Sequence, residues 1–137
     1  MNIIVLGCGR VGAALATMLD AEGHSVTVID QNSDAFRRLD AGYKGNMVLG
    51  TGIDEDVLRS AGIEKADAFA AVTNGDNTNI MASQIASTIF HVPRVVTRIY
   101  DPIREETYRT LGLDTICPTS VGARLFRERL LAGAGGS

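Results

Sequence analysis

A doubly wound, parallel α/β sheet is the fold class this sequence predicts. Short β-branched runs alternate with helical periods along the chain, the first run flows into a glycine-rich turn, and the second ends on an acid. The runs at residues 3–6, 26–29, 47–49, 69–72, 95–99 and 115–117 lack the polar alternation of half-exposed strands. All six are therefore expected to be buried on both faces. Strand–helix repetition implies right-handed crossovers, and six such strands suit the order 3-2-1-4-5-6 of a Rossmann-type sheet.

Each helix has its own signals. Val11, Ala14, Leu15, Met18 and Leu19 recur at helical spacing and are expected to face the core, with Gly23 ending the helix. A short helix starts at Ser33 or Asp34 and runs through Phe36 and Leu39. Asp54, Glu55 and Asp56 load acids onto the first turn of the next, where the helix dipole favours them, and Gly62 stops it. A longer helix opens at Asp76 or Asn77, uses Met81, Ala82, Ile85, Ala86 and Ile89, and cannot pass Pro93. Pro102 precedes another, from about 103 to 111. A final helix, capped near Thr119 or Ser120, carries Val121, Leu125, Phe126, Leu130 and Leu131 as an apolar stripe with no later element to cover it. The expected organisation is a nucleotide-binding unit over 1–118, a C-terminal helix over 119–132 that serves dimerisation, and a flexible tail over 133–137.

Composition removes several function classes. Thirteen basic residues against 16 acidic ones leave a net charge of −3, so nucleic acid and anionic membrane surfaces are not expected partners. No apolar run approaches the roughly 20 residues of a membrane span. The residues after Met1 have no basic leader character, so direct membrane insertion is not expected either. Cys8 and Cys117 sit in or beside apolar runs without metal-ligand spacing; buried free thiols, and no metal site, are the expectation.

Gly7-Cys8-Gly9-Arg10-Val11-Gly12 matches G-x-G-x-x-G. A tight turn without ligand would satisfy the glycines alone, but this one follows a strand and opens a helix, as dinucleotide binding requires. Gly7 permits the turn, Gly9 lets backbone N–H groups approach a pyrophosphate, and Gly12 allows close helix–strand packing. Asp30 closes the second strand about 20 residues beyond the motif, where a carboxylate accepts ribose hydroxyls and repels a 2′-phosphate. The alternative is an Asp30 that only caps or remains solvated. Gly50-Thr51-Gly52 follows the third strand, where a turn poor in side chains could approach an adenine. Thr73 and Asn74 follow the fourth, where capping chemistry and ligand contact are both open. Arg10 lies where phosphates would be, and Arg98 either reaches the crevice or pairs with Asp101 or Asp76.

Taken together, GCGRVG at 7–12, VID at 28–30, LRSAGIEKAD at 58–67, AVTNGDNTN at 71–79, RIYDP at 98–102 and LGLDTICPT at 111–119 give the chain a family likeness. It resembles the RCK/KTN family, the nucleotide-binding regulatory domains of Trk/Ktr-type potassium uptake systems and potassium channels. The resemblance implies ligand contacts at Gly7, Gly9, Arg10, Val11, Gly12, Asp30, Thr51, Gly52, Thr73, Asn74 and Arg98, with Cys8 and Gln31 included as their neighbours. It implies NAD(H) or ATP/ADP as ligand, a homodimer or larger ring, and a membrane-embedded potassium transporter or channel subunit as partner. The expected location is cytoplasmic, at the inner face of the cell membrane. Gly50-Thr51-Gly52 departs from the G-D or G-N of many members, and the second, smaller domain of most members does not follow. The rival class is a cofactor-binding fragment of an NAD-dependent oxidoreductase. That class needs a proton relay, and only His24 and His91, both at loop positions, are available; no catalytic residue is expected.

Overall fold

The computed structural model describes residues 1–133; the expected flexible tail falls almost wholly outside them. Six strands form one parallel sheet: β1 (Asn2–Leu6), β2 (Ser25–Asp30), β3 (Asn46–Leu49), β4 (Ala68–Ala71), β5 (Arg94–Arg98) and β6 (Asp114–Ile116). Their order is β3-β2-β1-β4-β5-β6, as expected. Between them run α1 (Arg10–Ala21), α2 (Glu55–Ser60), α3 (Asp76–Gln84), α4 (Pro102–Thr110) and, last, α5 (Pro118–Leu131).

Strand pleating divides the core in two. Ile4 and Leu6 of β1 join Ile29, Leu58, Phe69 and Ala82 on one face of the sheet. Ile3 and Val5 join Val26, Val28, Ala13 and Ala16 on the other. Successive side chains of a strand point to opposite faces, so an uninterrupted apolar run at the centre of a sheet serves both layers.

Burial on both faces fails at the edges. Met47 and Leu49 of β3 and Ile116 of β6 are about half exposed, because an edge strand has a neighbour on one side only.

The helical stripes also need correction. Val11 and Met18 of α1 are exposed, whereas Gly12, Ala13 and Ala16 are buried. A Cβ on Gly12 would overlap the Gly7 carbonyl oxygen, so the helix start lies too close for any side chain there, while Leu15 and Leu19 of the expected stripe do pack, partly buried, against the core. In α3 and its continuation, Ala82 and Ala86 reach the core and Ile85 packs against it, while Met81 and Ile89 stay exposed. The helix continues as a π turn, Ile85–Ile89, and the wider turn breaks the 3.6-residue period on which the stripe depended. The expected helix after β2 is a 3₁₀ segment, Ser33–Arg38, whose Asn32 side chain accepts from the Asp34 amide; Leu39 is already extended. α5 begins at Pro118 after Cys117, without the expected side-chain cap at Thr119 or Ser120. Both cysteines are buried and unbridged, as expected.

Gly12→Ala should lower stability by about 1–3 kcal/mol, the usual cost of overpacking. Urea unfolding would show this as a lower midpoint without a change of slope.

Candidate functional site

In a parallel sheet every strand delivers its carboxyl end to the same edge, and crevices form where the strand order reverses. Here that point lies between β1 and β4. A cavity of about 310 Å³ opens there, walled by Gly7 and Gly9, by Asp30, Gln31 and Asn32, by Gly52, and by Thr73 and Asn74. Gly7 has φ of +105°, a conformation natural to glycine, and its missing Cβ would stand 2.9 Å from the Thr73 nitrogen. The turns after β1 and β4 therefore touch backbone to backbone.

Asp30 holds the turn in place. Its Oδ2 accepts from the Cys8 amide at 2.7 Å and its Oδ1 from the Asn32 amide at 2.9 Å. Each carboxylate oxygen keeps a further lone pair for a ligand hydroxyl. The Cys8 side chain is fully buried in the core, away from the cavity wall, and its amide is committed to Asp30. Burial, and then the negative charge of Asp30, push the Cys8 thiol above its ordinary pKa, with Arg38 opposing. It is a poor nucleophile. Thr51 does not line the cavity; its carbonyl accepts from the Asp54 amide.

A second cavity of about 350 Å³ adjoins the first and shares Gly9, Arg38 and Asn74 with it. Arg10, Val11, Arg98 and Tyr100 complete its wall, which contains no carboxylate. None of Arg10, Arg38 and Arg98 forms an ion pair among the described residues. Arg98 is only 8% exposed, lies 4.2 Å from the centre of the Tyr100 ring, and has a buried Nε without a hydrogen-bond partner. The alternative pairing with Asp76 or Asp101 does not occur among the described residues. Asp76 instead accepts from the Tyr100 and Asp101 amides and approaches Arg104. Burial lowers the pKa of Arg98, and the charge of Asp76 opposes that shift. The amino end of α1 faces the same region with no side-chain cap and no acid in its first turn, leaving its free N–H groups and dipole uncompensated.

Gly7, Gly9, Asp30, Gln31, Gly52, Thr73 and Asn74 thus meet in the first cavity, and Arg10, Val11 and Arg98 in the second. Gly12 supports the turn from behind through its contact with Gly7. Asn32, Arg38, Thr78 and Tyr100 are additions to the sequence-predicted set. Arg38 belongs to no motif; the 3₁₀ segment brings it back until Nη1 lies 3.4 Å from the Cys8 carbonyl. His24 and His91 precede β2 and β5, at the opposite edge of the sheet, and His24 Nδ1 is 3.1 Å from the amino terminus.

Asp30→Ala should destabilise the protein even without ligand, by about 1–3 kcal/mol, because it strands the buried Cys8 amide. Urea unfolding of the ligand-free variant checks this.

The profile of the TrkA-N domain matches residues 3–119. The Trk system potassium uptake protein TrkA of Streptomyces coelicolor is 50% identical over 131 residues, covering 96% of this chain and 59% of that protein. The chain therefore spans little more than half of that relative. Among solved structures, the GsuK channel bound to NAD superposes with a TM-score of 0.77 at 26% identity, covering 93% of this chain and 22% of that one. GsuK bound to ADP gives 0.77 at 26% identity, with 98% and 34% covered.

Proposed function

This chain belongs to the TrkA-N domain family, and on that footing we propose that it is a cytosolic regulatory domain that binds an adenine nucleotide and passes its occupancy to a potassium transporter or channel. The observation that carries the reading is the pair of joined cavities. One presents a strand-end carboxylate to neutral hydroxyls, and the other presents three unpaired arginines and a helix amino end to anions. A nucleoside with a phosphate chain has that polarity. Ribose belongs on Asp30, beside Gln31, with the adenine toward Gly52. The first phosphates belong on Gly7, Gly9 and the first turn of α1, and the distal ones on Arg10 and Arg98. Thr73 and Asn74 close the opposite wall. The ligand is NAD(H) or ATP/ADP; NAD and ADP each occur bound to GsuK.

Sensing without turnover is supported by the placement of the histidines, at the sheet edge remote from both cavities. A ligand shifts a two-state assembly only through unequal affinity for the states, and distal phosphates that reach Arg10 and Arg98 supply such a difference. Protein purified without denaturation should carry nucleotide detectable by mass spectrometry. ATP and ADP, or NADH and NAD, should bind with unequal affinity and yield distinct solution-scattering profiles. Identical profiles with every nucleotide, or sustained hydride transfer to a small substrate, would overturn this reading.

The assembly is a homodimer through α5. The helix has no buried residue, and Leu125, Phe126, Leu130 and Leu131 are each more than half exposed. Several large apolar side chains left exposed on one helix mark an interaction surface. Phe126→Glu should convert dimers to monomers by light scattering. An unmodified chain that is already monomeric at high concentration refutes the dimer. The partner is a membrane-embedded potassium transporter or channel subunit, which keeps the domain at the cytoplasmic face. No helix among the described residues is long and apolar enough to cross a membrane itself.

A further inference from the structure

Asn79 lies in α3 with none of its surface exposed. Its Oδ1 accepts from the Thr73 amide at 3.0 Å and from the Thr73 hydroxyl at 2.6 Å. Its Nδ2 donates to the Thr73 carbonyl at 3.0 Å and to the Arg98 carbonyl at 2.9 Å. A carboxamide has two acceptor positions and two donor hydrogens, so its capacity is used up and none remains for a ligand. Three of the bonds grip the turn after β4, and the fourth crosses to the end of β5. Thr73 in turn lies against Gly7. One continuous line of contacts runs from the glycine turn through Thr73 and Asn79 to the backbone from which the Arg98 side chain springs.

Local stability does not call for this residue. Asparagine is a weak helix former, and burying its amide is costly unless every bond is made. An alanine would suit the helix better, but it could not reach two strand ends at once. We propose that Asn79 is a positioning residue of the nucleotide site: it fixes Arg98 relative to Thr73 and Asn74, so that the two cavities address a single ligand. Asn79 touches no ligand itself. This inference rests on the nucleotide reading above.

The test compares AMP with ATP by calorimetry. AMP ends near the Asp30-side cavity, whereas the distal phosphates of ATP extend toward the arginines. In Asn79→Ser the ATP-to-AMP affinity ratio should fall roughly tenfold, and by much less when Arg98 is already alanine, because changes that act through one partner are not additive. A residue that merely supports the fold weakens both nucleotides by the same factor; an unchanged ratio therefore overturns the proposal. A second measurement needs no variant to fold. In the unmodified protein, AMP should shift the Asn79 side-chain amide and the Arg98 backbone resonances in nitrogen-15 NMR spectra. Silence at both while Asp30 and Cys8 respond also overturns it. If the unmodified chain binds neither nucleotide, the nucleotide reading falls first and the inference falls with it.

Discussion

The site depends on one close approach of backbones, where the turn after β1 passes between the start of α1 and the turn after β4. Gly12 lets the helix rest against the Gly7 carbonyl, and Gly7 lets that turn lie on Thr73. Neither contact survives a side chain. Because the three segments touch directly, the carboxyl ends of β1 and β4 form a shared floor with cavities on either side of the glycine turn. Asp30 secures this arrangement from β2, through its bond to the Cys8 amide. The same carboxylate therefore shapes the pocket and faces into it.

Charge is laid out along the crevice with a clear direction. The carboxylate lies at the β2 side, while Arg10 and Arg98 line the far cavity and Arg38 borders both. Tyr100 offers the Arg98 guanidinium the face of its ring, a partner that attracts a cation without cancelling its charge. An aspartate at that position would have neutralised the cavity. Asp76 acts on Arg98 through its charge without pairing with it, because its oxygens are occupied by the Tyr100 and Asp101 amides and by Arg104. Those bonds keep that acid out of the wall.

Most of the fold was legible in the sequence because its central strands are buried on both faces, and such strands are unbroken apolar runs. Ile3 to Leu6 and Val26 to Ile29 needed no further context. The glycine turn and Asp30 were equally legible, since their spacing follows from backbone geometry. The helix faces were legible only in part. Of the large apolar residues that marked the α1 stripe, Leu15 and Leu19 pack on the core while Val11 and Met18 stay exposed, the closest contact being made by Gly12, Ala13 and Ala16. The π turn of α3 was hidden for a related reason, because periodicity assumes the winding that it is used to detect. Arg38 left no readable signal, and Asn79 stood in the 71–79 stretch without a role that the sequence assigned to it. One is carried to the crevice by a bend of the chain, and the other acts from inside the core through hydrogen bonds that exist only after β4 and β5 have come together.

If an anion occupies the arginine-lined cavity, as the proposed function requires, occupancy and folding become two views of one equilibrium. Like charges held close without counter-ions favour whatever separates them, and in an empty domain that includes unfolding. An anion that binds only the folded form draws molecules back by mass action, and more strongly as its concentration exceeds its dissociation constant. The robustness of the domain would then be set by its surroundings as much as by its sequence. Scarcity of the right anion would appear first as a shorter lifetime of the protein.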